Sequence, residues 1–303
     1  MITDMTVTMR DIFGERLQEN VLLGPYTSAR IGGPADYLLE VRSAQDLAQA
    51  AQQLWRAGLS FTILGGGSNV LVSDRGVRDL VILNRAKSVQ FERGAQPFVN
   101  CESGAVISNV AHRAAGLGLS GLEWAATVPG TVGGAVYGNA GAFGGDMAGN
   151  LIRADILTPN GRAWRGPREL DYGYRSSALK QGGGKAVVLS AEMLLQTGNA
   201  AEVQARIREF TSQRKASQPP GASMGSMFKN PPGDFAGRLI EAAGLKGSRI
   251  GSAEISTVHG NFFLNTGDTR AEDVRALIDL AQRTVLEKLD VNLELEVELL
   301  GEW

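Results

Sequence analysis

Apolar residues follow two rhythms along this chain, a three-to-four-residue spacing and an alternation broken by short continuous runs, and together these predict an α+β protein. "RSAQDLAQAAQQLWRAGLS" opens with Ser43 and Asp46 at the spacing of a capping box, carries Leu47, Ala51 and Leu54 on one face, and stops at Gly58, so a helix is expected there. "FTIL" (61–64) and "DLVILN" (79–84) read as buried strands on either side of a glycine cluster, which places that cluster in a strand-exit loop. "ADILTPNGRAW" predicts a hairpin turning at Pro159-Asn160-Gly161, and "KAVVLSAEMLL" a further buried strand. From about residue 200 the spacing becomes helical: Val203, Ile207 and Phe210, then "DFAGRLIEAAGLKG" ended by Gly244, then Val274, Leu277, Ile278, Ala281 and Val285. A separate C-terminal α+β domain is expected from these segments. The tail "LELEVELLG" alternates Leu293, Leu295, Val297 and Leu299 with Glu294, Glu296 and Glu298, which on a strand puts three carboxylates on one face; spacing alone makes each of them a solvated side chain.

Composition narrows what such a protein does. At 303 residues the chain is long enough for two or three domains. Thirty basic against thirty-two acidic residues, a net charge of -2, exclude broad electrostatic binding to nucleic acid or to anionic membrane and leave small anionic ligands open. One cysteine, Cys101, excludes an internal disulfide, and with only His112 and His259 and no HExxH or CxxC pattern no metal site is expected. The stretch "MITDMTVTMRDIFGERLQEN" lacks the apolar core of a signal peptide and no window reaches membrane-spanning length, so a cytoplasmic location is expected.

Glycine is the outlier, at 39 residues roughly twice its usual share of about 7%. The excess lies in "LGGGSNVLVSDRG" (64–76) and "PGTVGGAVYGNAGAFGGDMAG" (129–149). Consecutive glycines in the first stretch expose N–H groups able to nest phosphate oxygens, with Ser68 and Asn69 adding side-chain hydrogen bonds, and pyrophosphate is the natural ligand. Small residues in the second let a flat ring lie against backbone. Two such stretches suggest one large cofactor. Competing patterns fail: "GLGLSG" (116–121) closes a helix-like run instead of following a strand, so it is no dinucleotide fingerprint, and Gly184-Lys185 is followed by alanine, so it is no P-loop. Ser226 in "GSMFKNP" suggests a hydrolytic nucleophile, but no histidine base stands in a triad pattern around it and the G-x-S-x-G elbow is absent.

"YTSARIGGPADYLLEV", "LGGGSNVLVSDRG", "VPGTVGGAVYGNAGAFGG", "GYRSSAL", "GSMFKNPPGDFAGRLIEAAGLKG" and "LELEVELLG" occur in the order found in the UDP-N-acetylenolpyruvoylglucosamine reductases of peptidoglycan synthesis, in the subtype with the compact "PGTVGGA" segment, and the chain resembles that family from about residue 22 to its end. The resemblance implies a two-part FAD-binding region of the PCMH/vanillyl-alcohol-oxidase type, residues 1–84 and 85–200, followed by an α+β substrate domain, 201–303. It implies noncovalent FAD, since Ser68 stands where many oxidase relatives carry a flavin-tethering histidine, and NADPH as co-substrate. Gly65, Gly66, Gly67, Ser68 and Asn69 would hold the pyrophosphate; Val128, Pro129, Gly133, Gly134, Asn139, Gly141, Ala142 and Phe143 would line the flavin. Arg175 and Glu296 match the residues that stabilise the intermediate, Ser226 the proton donor, and Tyr174 and Asn230 substrate contacts. Leu295 and Glu298 stand where the family usually has proline and arginine, and Val258 replaces the lysine before His259, which is given no role. The implied partners are UDP-N-acetylglucosamine enolpyruvate and NADPH, and the implied state is a monomer. The alternatives are another FAD oxidoreductase acting on an alcohol or sugar, and a noncatalytic flavin-binding module.

Overall fold

The N-terminal signals act as their spacing requires. Ser43 Oγ accepts the Asp46 N–H at 3.1 Å and starts the helix Ala44–Arg56, whose Leu47, Ala51 and Leu54 are buried, and Gly58 leaves it with a φ of 68°. "FTIL" is the strand Phe61–Leu64 and "DLVILN" lies within Val77–Asn84. The 159–161 turn joins antiparallel strands Leu151–Thr158 and Gly161–Arg165 with Thr158 opposite Gly161. This computed structural model describes residues 5–183 and 185–303, so Met1 to Asp4 and the Gly184 of the rejected P-loop pattern lie outside the described residues. Among the described residues no helix is long and apolar enough to cross a membrane.

The chain packs as two units, one formed by residues 1–17, 39–66 and 81–213, the other by 18–38, 67–80 and 214–303. The first is built on a five-stranded antiparallel sheet in the order Gly161–Arg165, Leu151–Thr158, Val187–Leu194, Phe98–Glu102, Val89–Glu92. Its core joins Val99, Ile156 and Met193 of that sheet to Ile107 and Val110 of the helix Ile107–Gly116 and to Val132 and Val136 of the helix Val132–Gly138. Cys101 sits in this core, its thiol pushed up to about 12 by burial, and behaves as a small apolar residue. Gly116 ends the helix that precedes it, the position its sequence context predicts.

The second unit places the antiparallel strands Ala222–Ser226, Phe262–Asn265, Ala253–Ile255 and Arg249–Ile250 with the helix Ala271–Leu289, in which the stripe Val274, Leu277, Ile278, Ala281 and Val285 is fully buried. Each large member of that stripe contributes roughly 1.5–3 kcal/mol. Asp74, almost two hundred residues upstream, accepts the Ala271 and Glu272 N–H groups at 2.9 Å each and supplies the acceptors that the first turn of that helix needs.

One expectation needs correction. The tail is not a single strand presenting three carboxylates: only Glu298–Leu300 is regular, paired in parallel with Val70–Val72, and residue 295 makes an isolated bridge to Phe228. The segment changes partner midway. Lys229 N–H bonds to the Glu294 carbonyl at 2.8 Å and Glu296 N–H to the Met227 carbonyl at 2.9 Å, whereas Glu298 N–H goes to the Asn69 carbonyl at 3.0 Å. Glu294 is left exposed and ion-paired to Lys229, while Glu296 and Glu298 are half-buried.

Asp74→Ala leaves two helix N–H groups without their acceptor and is expected to lower the unfolding free energy by about 1–2 kcal/mol, seen as a lower urea midpoint at unchanged m-value. Asp74→Asn should lose less. An unchanged midpoint in the alanine variant would show that solvent serves those N–H groups equally well.

Candidate active site

The two glycine stretches meet. A β-carbon at Gly65 would lie 2.6 Å from Thr131 Oγ1, closer than such atoms pack, and one at Gly66 would lie a tight 3.1 Å from the Gly130 α-carbon. Thr131 also accepts the Gly134 N–H at 3.4 Å as cap of the helix Val132–Gly138. Gly133 is a packing glycine: its N–H bonds to the Ser103 carbonyl at 2.8 Å, and a β-carbon there would come within 2.9 Å of Ser103 Cβ. Pro129 lies between the half-buried Val128, whose N–H bonds to the Ala125 carbonyl at 2.9 Å, and Gly130.

Asn139 ends that helix in the left-handed region and spends its side chain on protein. Its amide donates to the Gly173 carbonyl at 3.0 Å and to Asp146 at 3.4 Å, and accepts the Ala148 N–H at 3.0 Å. It thereby holds the turn that carries Tyr174 and Arg175. Gly173 and Ser176 exchange backbone hydrogen bonds of 3.1 and 3.2 Å, leaving Tyr174 and Arg175 as the two residues of the turn, and Arg175 takes a φ of 54° in the position glycine favours. A bulky residue in that region costs of order 1 kcal/mol or more, so the backbone of Arg175 is held at the expense of strain.

Beyond Asn139, Gly141 and Ala142 form one arm of a short hairpin with Gly145 and Asp146. Its turn, Phe143-Gly144, has φ values of 50° and 79°, the type I′ pattern that usually takes Asn-Gly. The Phe143 ring stacks face to face on Phe210, with centroids 4.4 Å apart. The helical spacing of Val203, Ile207 and Phe210 matches the helix Ala200–Ser217, in which Val203 and Ile207 enter the core and Phe210 meets Phe143.

In the other unit, Gly67 and Asn69 are anchored through their carbonyls, which accept the Ser28 N–H at 2.9 Å and the Glu298 N–H at 3.0 Å. Gly67 has a φ of 60°, and a β-carbon on it would lie 2.2 Å from the Tyr26 carbonyl oxygen. Asn69 Nδ2 donates to the Glu296 carbonyl at 3.0 Å, and Glu296 N–H donates to the Met227 carbonyl, next to Ser226. Three predicted residues from distant parts of the sequence, Asn69, Ser226 and Glu296, are thus brought into one neighbourhood. Ser226 follows Gly225, whose φ is 79°, at a register break between Ser223 and Ser226 in the pairing with Phe262–Asn265. Such a bulge re-aims a side chain. Asn230 Oδ1 accepts the Ala236 N–H at 3.0 Å. His259 is a structural acceptor: its Nδ1 takes the Asn261 N–H at 3.2 Å, and burial, then the charge of Lys246, lowers its pKa and favours the neutral ring.

These residues fit a dinucleotide. Among the described residues the backbone bonds that anchor the 67–69 segment use its carbonyls and not its backbone N–H groups, the polarity a diphosphate nest requires, and the loop carries Ser68 and no tethering histidine. The Tyr172 hydroxyl, three residues before Arg175, is buried without a protein hydrogen-bond partner among the described residues, and burial together with the charge of Asp146 raises its pKa.

Residues 35–166 match the family described as FAD binding domain, and the fold and glycine loop define the class: a FAD-binding flavoprotein with a C-terminal α+β domain. Residues 216–300 match UDP-N-acetylenolpyruvoylglucosamine reductase, C-terminal domain. UDP-N-acetylenolpyruvoylglucosamine reductase from Rubrobacter xylanophilus is 48% identical over 91% of this chain and 93% of its own length, and that from Chloroflexus aurantiacus 43% identical over 91% and 94%. The crystal structure of the reductase (MurB) from Thermus caldophilus matches with a TM-score of 0.80 at 38% identity, covering 94% of this chain and 99% of that one. The chain therefore belongs to the UDP-N-acetylenolpyruvoylglucosamine reductase family. The alcohol- or sugar-acting alternative is not favoured.

Thr131, Asp74 and Asn261 were not legible as site or support residues. Thr131 alone had a signal, a cap-type residue opening an apolar run inside the second glycine stretch. Gly65→Ala forces Thr131 aside and is expected to weaken FAD binding by about tenfold, ~1.4 kcal/mol, measured by fluorescence titration of the apoprotein. Gly94→Ala, with no atom within 4 Å of the new β-carbon, should bind as the parent does. Equal affinity in both would separate the contact between the glycine stretches from cofactor binding.

Proposed function

We propose that this protein carries out the NADPH-dependent, FAD-mediated reduction of UDP-N-acetylglucosamine enolpyruvate to UDP-N-acetylmuramate, in the cytoplasm and as a monomer, in peptidoglycan precursor synthesis. The observation that carries the reading is the neighbourhood of Ser226, Glu296 and Asn69. It ties the two family-matched catalytic residues of the C-terminal domain to the glycine loop. Functionally the chain divides into FAD-binding segments 1–84 and 85–200 and a substrate segment 201–303.

When bound noncovalently, FAD would supply the redox chemistry that links NADPH oxidation to hydride delivery at C3 of the enolpyruvyl ether. Gly65 to Asn69 would hold its diphosphate, and the segment from Val128 to Phe143 would line its ring system. Hydride arrival leaves an electron pair at C2 that spreads into the substrate carboxylate. Arg175 meets that charge with a guanidinium able to pair with both carboxylate oxygens. An ionised carboxylate would repel the same charge, so Glu296 acts protonated or by orienting a donor. Ser226 completes the addition: its O–H bond breaks, a C–H bond forms at C2, and the serine recovers its proton from water. An alcohol is a weak acid, but the carbanion is a much stronger base, so the transfer runs downhill without a histidine. Tyr174 and Asn230 contact the substrate, Asn230 at its diphosphate.

Ser226→Ala, Arg175→Ala and Glu296→Ala are each expected to leave NADPH reduction of the flavin near the parent rate and to slow reoxidation by the enolpyruvyl nucleotide on the order of a hundredfold or more. Stopped-flow absorbance resolves the two half-reactions. Glu298→Ala should be much milder; damage equal to that of Glu296→Ala would reassign the carboxylate, and unimpaired reoxidation in Ser226→Ala would remove the proton-donor role.

A further inference from the structure

Asn261 is buried, 3% exposed, and its side-chain hydrogen bonds among the described residues go to Phe228, which is assigned no chemical role. Its hydrogen bonds nevertheless converge on the peptide beside Ser226. Asn261 Oδ1 accepts the Phe228 N–H at 2.9 Å, and its Nδ2 donates to the Phe228 carbonyl at 2.8 Å. The Asn261 carbonyl accepts the Met227 N–H at 2.8 Å, and its own N–H is fixed by His259 Nδ1 at 3.2 Å. One side-chain amide thus answers both backbone polar groups of one residue, as a neighbouring strand would.

That substitution occurs where the sheet needs it. Pairing between the strand of Ser226 and Phe262–Asn265 slips between Ser223 and Ser226, and Gly225 turns the chain with a φ of 79°. A bulge leaves the strand beyond it free to bend, so the direction of the Ser226 hydroxyl depends on what holds residues 227 and 228. On one side Asn261 holds them. On the other, the Met227 carbonyl accepts the Glu296 N–H at 2.9 Å, and the Glu296 carbonyl accepts Asn69 Nδ2 at 3.0 Å. The peptide at 227–228 is therefore the common support of Ser226 and Glu296, and Asn261 is its fixed point. Only a planar amide carries an acceptor and a donor at this reach; an ionised carboxylate of the same shape has no donor, and a serine hydroxyl has one atom for two tasks.

We propose that Asn261 is a positioning residue for the protonation step, holding the 227–228 peptide so that the Ser226 hydroxyl and the Glu296 segment stay in register. This rests on the reading of Ser226 as proton donor. Misplacing a reacting group by about 1 Å costs on the order of a hundredfold.

The test uses the FAD-loaded protein with Asn261→Asp, which keeps shape and acceptor but loses the donor to Phe228, and with Asn261→Ser as the second variant; Ser226→Ala is run in parallel. Flavin content and the rate of bleaching by NADPH report the folded, loaded fraction. The expected result is bleaching within about twofold of the parent and reoxidation by the enolpyruvyl nucleotide slowed roughly tenfold or more. The solvent deuterium isotope effect on that reoxidation should rise, because a misplaced donor makes proton transfer limiting. A merely structural role would lower both half-reactions with the flavin content and leave the isotope effect unchanged, and that result overturns the inference. So does parent-like reoxidation in both Asn261 variants while Ser226→Ala is slow. Parent-like reoxidation in Ser226→Ala itself overturns the proton-donor reading first and the positioning role with it.

Discussion

The parallel pairing of Val70–Val72 with Glu298–Leu300 is the constraint on which the C-terminal unit depends. It brings the strand leaving the glycine loop against the last strand of the chain, and parallel strands cannot be joined by a tight turn. Here the connection is the whole chain between residues 72 and 298. Once closed, the pair fixes much else. Ser73 N–H bonds to the Leu300 carbonyl at 2.9 Å, the Ser73 hydroxyl bonds to the Glu302 carbonyl, and Glu302 N–H reaches Gly76 at 3.1 Å. Asp74, directly after this strand, caps the helix Ala271–Leu289, and Asn69, directly before it, holds Glu296. The loop proposed to cradle a diphosphate and the carboxylate proposed to act in the reaction are thus set by one short ladder.

Local periodicity was a good guide where one element makes one kind of contact. The Ser43 cap, the helix through Val274 and Val285, and the hairpin at residues 159–161 were all legible because burial and turn chemistry repeat at fixed intervals. It misled where a segment serves two partners. The alternation of Leu293 to Leu299 describes a uniform strand, yet the chain passes from the Phe228 bridge to the Val70–Val72 pair within a few residues, and the carboxylates part company. Phe210 lies in a helix, as its spacing predicts; its stacking on Phe143 is a contact that no spacing encodes. The glycine stretches announced close approach without saying to what; their approach to each other through Gly65, Gly66, Gly130 and Thr131 is a tertiary fact. The choice of Ser226, Arg175 and Glu296 as candidate residues came from motif order, not from periodicity.

Backbone strain marks the same regions. Phe143 and Arg175 hold φ values of 50° and 54°, conformations that residues with a β-carbon rarely adopt, and each sits at the tip of a two-residue turn. Around Arg175 the strain is held by bonds that the rest of the fold supplies: Asn139 grips Gly173, Ser177 Oγ donates to the Tyr137 carbonyl at 2.6 Å, and Ala178 N–H bonds to the Leu170 carbonyl at 2.7 Å. These bonds hold the backbone of the turn that carries Tyr174 and Arg175.

The central claim is that electrons pass through a flavin to an enolpyruvyl acceptor. It is tested most directly by recording the visible spectrum of the purified protein under anaerobic conditions, before NADPH, after one equivalent, and after one equivalent of UDP-N-acetylglucosamine enolpyruvate. The account predicts an oxidised flavin spectrum that NADPH bleaches and the sugar nucleotide restores in full, with UDP-N-acetylmuramate formed in equal amount. A flavin that NADPH bleaches but the enolpyruvyl nucleotide leaves reduced would contradict it.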